Sequence, residues 1–116
     1  MTREFVRLFE FEKQCKHIGL NEDDIIEIEI KLLIDPTVGD MIQGTAGLRK
    51  LRTALHSSGT SKNIRVIYVD FAAFSKTYLV TAYAKNEMEN LSKAERNELK
   101  TLIGVLRAEL RKKKEK

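Results

Sequence analysis

The sequence predicts an α+β fold from three features. Residues 9–34 contain two stretches with helical apolar spacing. Residues 48–84 contain three stretches rich in the β-branched and aromatic side chains that strands prefer. Helical spacing returns after Ser92, behind a full capping box. The resulting order is β-α-α-β-β-β-α. It describes a compact, twisted, mostly antiparallel sheet of three to four strands, with two helices before it and one after. At 116 residues the chain is expected to form one domain spanning 1–116.

Taken in order, Arg3 to Leu8 reads as a short strand. Phe9 to Ile18 reads as a helix, because Phe11, Cys15 and Ile18 recur at i, i+4 and i+7, and Gly19 is its stop. Asn21 caps a second helix, with Asp24 three residues on in the manner of a capping box. Glu22, Asp23 and Asp24 suit the positive end of its dipole. Ile25, Ile28 and Leu32 form one stripe, with Ile26, Ile30 and Leu33 beside them. This helix must end before Asp35-Pro36, because a residue preceding proline is pushed out of helical geometry. The two helices are expected to pack as a hairpin.

Residues Thr37 to Gly47 contain three glycines and no helical period, so they read as a loop. Leu48 to Leu55, Ile64 to Phe71 and Thr77 to Ala84 read as strands, and the short Ala72–Lys76 link makes the last two antiparallel. The link His56 to Asn63 is polar. The final helix carries Leu99, Leu102, Ile103, Leu106 and Leu110 on one stripe. It runs into a charge-dense end from Arg111 that is expected to fray.

Charge is unevenly distributed. Residues 1–46 hold five basic and ten acidic side chains. Residues 47–86 hold seven basic ones against a lone acid, Asp70. Such a segment suits a polyanionic partner. Its bland alternative is internal neutralisation by the acidic first part. No apolar run is long enough to span a membrane, and the N-terminus lacks a signal-peptide layout. One cysteine, Cys15, allows no internal disulfide. A cytoplasmic setting is expected.

Alternation along a strand puts Lys50 and Arg52 on one side, with Arg49 and Leu51 on the other. With two helices on one side of the sheet, the other is free to stay open. Lys50, Arg52, Arg65 and Asn86 on that open side would make a cationic patch. Arginines on central strands need a partner, and a phosphate backbone supplies one. Other signals are weaker. Gly44 to Gly47 lacks the ending of a phosphate loop and reads as a turn. Cys15, His17 and His56 do not have metal-ligand spacing, so neither a metal nor a cofactor is expected. His56 has the intrinsic pKa of a general base but begins a polar loop.

The stretch Gly39 to Leu91 resembles the RelE/HigB-like toxins, the HigB-type branch most closely. The match is carried by Gly39-Asp40-Met41-Ile42-Gln43-Gly44-Thr45-Ala46-Gly47-Leu48-Arg49-Lys50-Leu51-Arg52, by Arg65-Val66-Ile67-Tyr68, and by Tyr83-Ala84-Lys85-Asn86-Glu87. The resemblance implies a RelE-like compact domain acting as the toxin of a type II toxin–antitoxin pair. It implies a metal-independent endoribonuclease, an mRNA interferase that cuts message on the ribosome and so inhibits translation. The implied partners are mRNA, the ribosome and a cognate antitoxin with a helix-turn-helix DNA-binding domain.

By position, the resemblance makes Arg65 and Lys50 catalytic. Asn86 stands where better-known relatives have an arginine, with Lys85 a substitute catalytic group beside it. The tyrosine that follows in those relatives is missing here, and Asn90 and Leu91 occupy that region. Arg49, Arg52 and Tyr83 are the expected RNA-binding residues. The competing readings are a ParE-like toxin that inhibits gyrase and a non-catalytic, ribosome-associated RNA-binding module.

Overall fold

The computed structural model of the chain describes residues 2–55, 62–88 and 90–115. His56 and most of the polar link after it lie outside the described residues. The elements run β1 (Glu4–Arg7), α1 (Phe9–Ile18), α2 (Glu22–Ile34), β2 (Asp40–Met41), β3 (Arg49–Leu55), β4 (Lys62–Phe71), β5 (Lys76–Ala84) and α3 (Lys93–Glu115). A single 3-10 turn, Ala72–Phe74, joins β4 to β5.

The strands form one sheet in the order β1-β5-β4-β3-β2. Among the described residues it has five strands, against the three to four expected. β1 adds to the edge in parallel with β5, and the two-residue β2 lies within the segment read as loop. The other pairings are antiparallel. β4 is the central strand, and Ile64 to Val69 are all buried.

Local chemistry explains the helix boundaries. Gly19 ends α1 in the left-handed region at φ 89°, and its amide donates to the Cys15 and Lys16 carbonyls. The Asn21 side chain accepts from the Asp24 amide at 2.9 Å, and the Asp24 carboxylate accepts from the Asn21 amide at 3.0 Å. Ser92 and Glu95 repeat this exchange before α3, at 3.1 and 2.9 Å. The charge run expected to fray instead stays helical through Glu115. Leu110 is buried against the sheet, and Lys112, Lys113 and Lys114 sit where cations favour a helix dipole.

The sheet carries a hydrophobic cluster on each face. On one, the α1/α2 hairpin packs Phe11, Cys15, Ile25, Ile28 and Leu32 onto Leu51, Leu55, Ile64, Val66, Tyr68, Leu79 and Ala82. On the other, α3 lays Ile103 and Leu110 over Leu48, Ile67, Val69, Phe71 and Tyr78. The second face is therefore not wholly open, as the sequence reading had left it. The α3 stripe of Leu99, Leu102, Ile103, Leu106 and Leu110 needed an apolar surface, and part of this face supplies it.

The β4–β5 register shifts between Ile67 and Tyr68. Ile67 pairs with Thr81 and Tyr68 with Leu79, so Val80 is the extra residue of a bulge. The bulge switches the alternation along β5. It lets Leu79 and Ala82 both reach the hairpin cluster while Val80 and Tyr83 join the α3 cluster.

Candidate nucleic-acid interface

Register decides which side chains meet on the α3 side. Lys50 lies opposite Ile67, and Arg52 lies opposite Arg65. Arg65 lies opposite Tyr83. Directly opposed residues share a face, so Lys50, Arg52 and Arg65 stand together on the α3 side, beside Tyr83, which is packed into the α3 cluster. Two arginines side by side repel one another unless an anion or solvent intervenes.

Arg65 is 8% exposed on the central strand, and Tyr83 opposite it is 6% exposed. Among the described residues the Arg65 guanidinium reaches only the Ile64 carbonyl, at 3.4 Å. Among the described residues it has no carboxylate partner. Asp70 does not serve it. That carboxylate takes Arg3 Nε at 3.0 Å and the Thr77 hydroxyl at 2.7 Å, farther along β4. Nor do the acids of the first helices reach it. Glu29 and Glu22 hold Arg7, each at 2.9 Å, and raise its already high pKa further. Neutralisation by the acidic first part therefore reaches Arg52, through Asp40, and Lys76, through Glu4, but among the described residues it does not reach Arg65.

The groups around Arg65 have partners of their own. Lys50 Nζ donates to Asn90 Oδ1 at 2.8 Å. Arg52, half-exposed, pairs with Asp40 across β2–β3, and Asp40 is itself largely in solvent. An exposed pair of this kind contributes little and yields readily to a stronger anion. Ile42, Lys50, Tyr83, Asn90, Leu91 and Arg96 line a small hollow of roughly 100 Å³. Arg96 escaped sequence reasoning because it lies in the first turn of a helix, far from the strands in sequence. The Ser92–Glu95 capping box fixes that turn, and a cation one residue past such a box is the signal that was available.

Tyr83 also borders a second groove, whose rim carries Glu10, Glu87, Glu95 and Glu98. The site thus has a cationic side and an acidic side. A phosphodiester is drawn to the first and repelled by the second.

The remaining predicted residues stand elsewhere. Asn86 was expected to share the face of Arg65, but the hairpin register gives that position to Tyr83. β5 ends at Ala84, and Lys85 and Asn86 lie in the exposed turn beyond it. There they line a larger cavity of about 590 Å³ with His17, Lys62, Asn63 and Glu87. His17 Nε2 stands 3.2 Å from Glu87 Oε2.

Arg49 faces the opposite way from Lys50, as alternation requires. It donates to the Thr37 and Gly39 carbonyls at 3.2 and 2.8 Å. Gly39 packs against the ring of Tyr68, and a Cβ there would lie 2.8 Å from Cε1. The Tyr68 hydroxyl accepts from the Gly39 amide at 2.9 Å and donates to the Pro36 carbonyl at 2.8 Å. Gly44 and Gly47 adopt positive φ in the turn leading to β3. Much of the glycine-rich motif thus builds the loop that carries Asp40 and Ile42 to the edge of the cationic patch. Among the described residues, no group of His, Cys, Asp and Glu is placed to hold a metal ion. Among those residues, too, no helix is long and apolar enough to cross a membrane.

No family model matches the sequence. Solved structures do match its fold. One is the E. coli toxin RelE, determined as a double mutant in the free state. The match has a TM-score of 0.53 at 14% identity and covers 77% of this chain and 90% of that one. The three helices and five-stranded mixed sheet of this chain make a RelE-like fold.

Proposed function

We propose that this chain is a toxin of a type II toxin–antitoxin pair, of the HigB-type branch. In this reading it cuts mRNA bound to the ribosome, within the cytoplasm. The observation that carries the reading is Arg65. It is a nearly buried cation at the centre of the sheet, has no carboxylate partner among the described residues, and is flanked by Lys50, Arg52 and Tyr83. Burying such a charge without a partner is costly, so the arrangement suits a protein completed by an anionic ligand. The RelE-like fold and the resemblance from Gly39 to Leu91 support the same reading.

The proposed reaction is attack of a ribose 2′-hydroxyl on the adjacent phosphate. The 2′-oxygen–phosphorus bond forms and the phosphorus–5′-oxygen bond breaks, leaving a 2′,3′-cyclic phosphate and a 5′-hydroxyl. One proton leaves the attacking hydroxyl and one reaches the departing 5′-oxygen. Negative charge grows on the phosphoryl oxygens. Arg65 meets it with a planar fork that binds two oxygens at once, and Lys50 meets it as a point charge. Arg52 and Arg96 hold the flanking backbone, and Tyr83, buried in the α3 cluster, lines the hollow beside them rather than stacking on a base. Lys85 and Asn86, in the neighbouring cavity, hold an adjoining nucleotide. Arg49 shapes the loop rather than touching RNA. A helix-turn-helix antitoxin is the expected inhibitor.

The test is Arg65→Ala, with 5′ ends of cellular messages mapped after induction. Wild-type protein creates new ends inside reading frames, and the variant loses on the order of 100-fold in cleavage. Undiminished cleavage by the variant would refute the mechanism. Growth arrest without new ends would identify a ribosome-bound module with no nuclease activity. DNA damage signalling with intact messages would identify a gyrase inhibitor.

A further inference from the structure

α2 is apolar on both sides. Ile25, Ile28 and Leu32 face the core, whereas Ile26, Ile30, Leu33 and Ile34 point outward, with Ile30 at 51% and Ile34 at 79% exposure. Val38, just past the helix, is exposed as well. A helix with apolar side chains all round is normally covered on all sides. Here the outer ridge has no cover within the chain among the described residues. Single exposed apolar residues are ordinary, but a contiguous row on one rigid element marks an interaction surface. The row is on the hairpin side of the sheet, away from Lys50 and Arg65.

Charge indicates what covers it. Around the ridge stand Glu22, Asp23, Glu27 and Asp35, against Arg7, which is paired with Glu22, and Lys31, which is paired with Glu27 at 3.4 Å, so acids are still in excess. A second copy of this chain would bring the same acids to both sides of a two-fold contact. A partner with an apolar stripe and basic flanks meets both features at once.

We infer that the outer face of α2 docks a partner protein through an amphipathic helix with lysine or arginine on both sides of its apolar stripe. This docking needs no contact with the cationic patch, and it stands whether or not the patch cuts RNA. Ile26 and Ile30 enter the partner's apolar stripe, and the acidic rim selects its flanks.

The test uses two synthetic helical peptides with the same leucine stripe, one flanked by lysine and one by glutamate. The full chain is titrated with each at low salt, and amide shifts are mapped by NMR. The lysine-flanked peptide is expected to bind about tenfold or more tightly than the other, with shifts centred on residues 26–38. The double variant Ile26→Ser/Ile30→Ser should weaken binding by about tenfold or more while keeping its circular dichroism spectrum, since both side chains are outward. Equal binding of both peptides, shifts centred on β3–β5, or unchanged affinity of the double variant would overturn the inference. So would sedimentation of the wild-type chain as a dimer that the double variant returns to monomer, since a second copy would then be the occupant.

Discussion

On the hairpin side of the sheet Arg7 is gripped by Glu29 and Glu22, Asp70 by Arg3 and Thr77, and Arg49 by two loop carbonyls. On the α3 side Arg65 reaches one distant carbonyl, and Arg52 leans on an exposed aspartate. The two faces belong to the same sheet and draw on the same stretch of sequence. They differ in whether the chain supplies its own counter-charges. Where it does, the cation is part of the scaffold. Where it does not, the cation is kept at some cost, and that cost is the ground for the proposed anionic ligand.

The sharpest way to break this contrast is Arg65→Leu. If Arg65 serves a ligand, cleavage falls on the order of 100-fold. Stability in urea stays level or rises, because an apolar side chain replaces a buried charge that has no carboxylate partner among the described residues. A large drop in the urea midpoint would make Arg65 a scaffold residue like Arg7. Arg7→Ala is the mirror experiment. It strands Glu29 in a part-buried site and is expected to cost about 1–3 kcal/mol in urea unfolding. Cleavage per folded molecule stays unchanged.

Tyr68→Phe tests the scaffold from the loop side. It removes the hydroxyl joining Pro36 to Gly39 and leaves a buried amide without a partner, for about 1–2 kcal/mol. Because that loop carries Asp40 and Ile42 to the patch, a modest rise in KM for RNA should accompany the stability loss. Smaller still is the effect of Cys15, where burial among apolar side chains pushes the thiol up to about 12. The unfolded chain ionises this thiol first. Stability is therefore full below the ordinary thiol range and declines as pH rises from there toward 12. Native protein should resist alkylation at pH 8, as checked by mass spectrometry before and after denaturation. The smallest expected change is at Asp35, whose carboxyl is held below the usual range by hydrogen bonds from the Thr37 side chain and amide. Thr37→Val should move its NMR titration back toward ordinary values.

The helices were legible because their signals are local. Phe11, Cys15 and Ile18 lie within two turns of one another, and the Asn21–Asp24 and Ser92–Glu95 caps each close within four residues. Lys50 and Arg52 on one side of β3, with Arg49 on the other, follows from alternation alone. The edge strands were harder. β2 has two residues, too few to leave a pattern, and nothing in Glu4–Arg7 states that it pairs in parallel with β5.

The site divides along the same line. From its residues alone, this chain determined a cation-rich middle segment, the face shared by Lys50 and Arg52, and the loop glycines before them. Only the tertiary structure decided that Tyr83 and not Asn86 stands opposite Arg65, that Arg96 arrives from α3, and that α3 covers part of the face expected to be open. Alternation assigns side chains within one strand at no reference to any other. Register between strands depends on turns, on the bulge at Val80 and on which apolar stripes seal each face. Those choices are settled collectively, when all the elements pack at once.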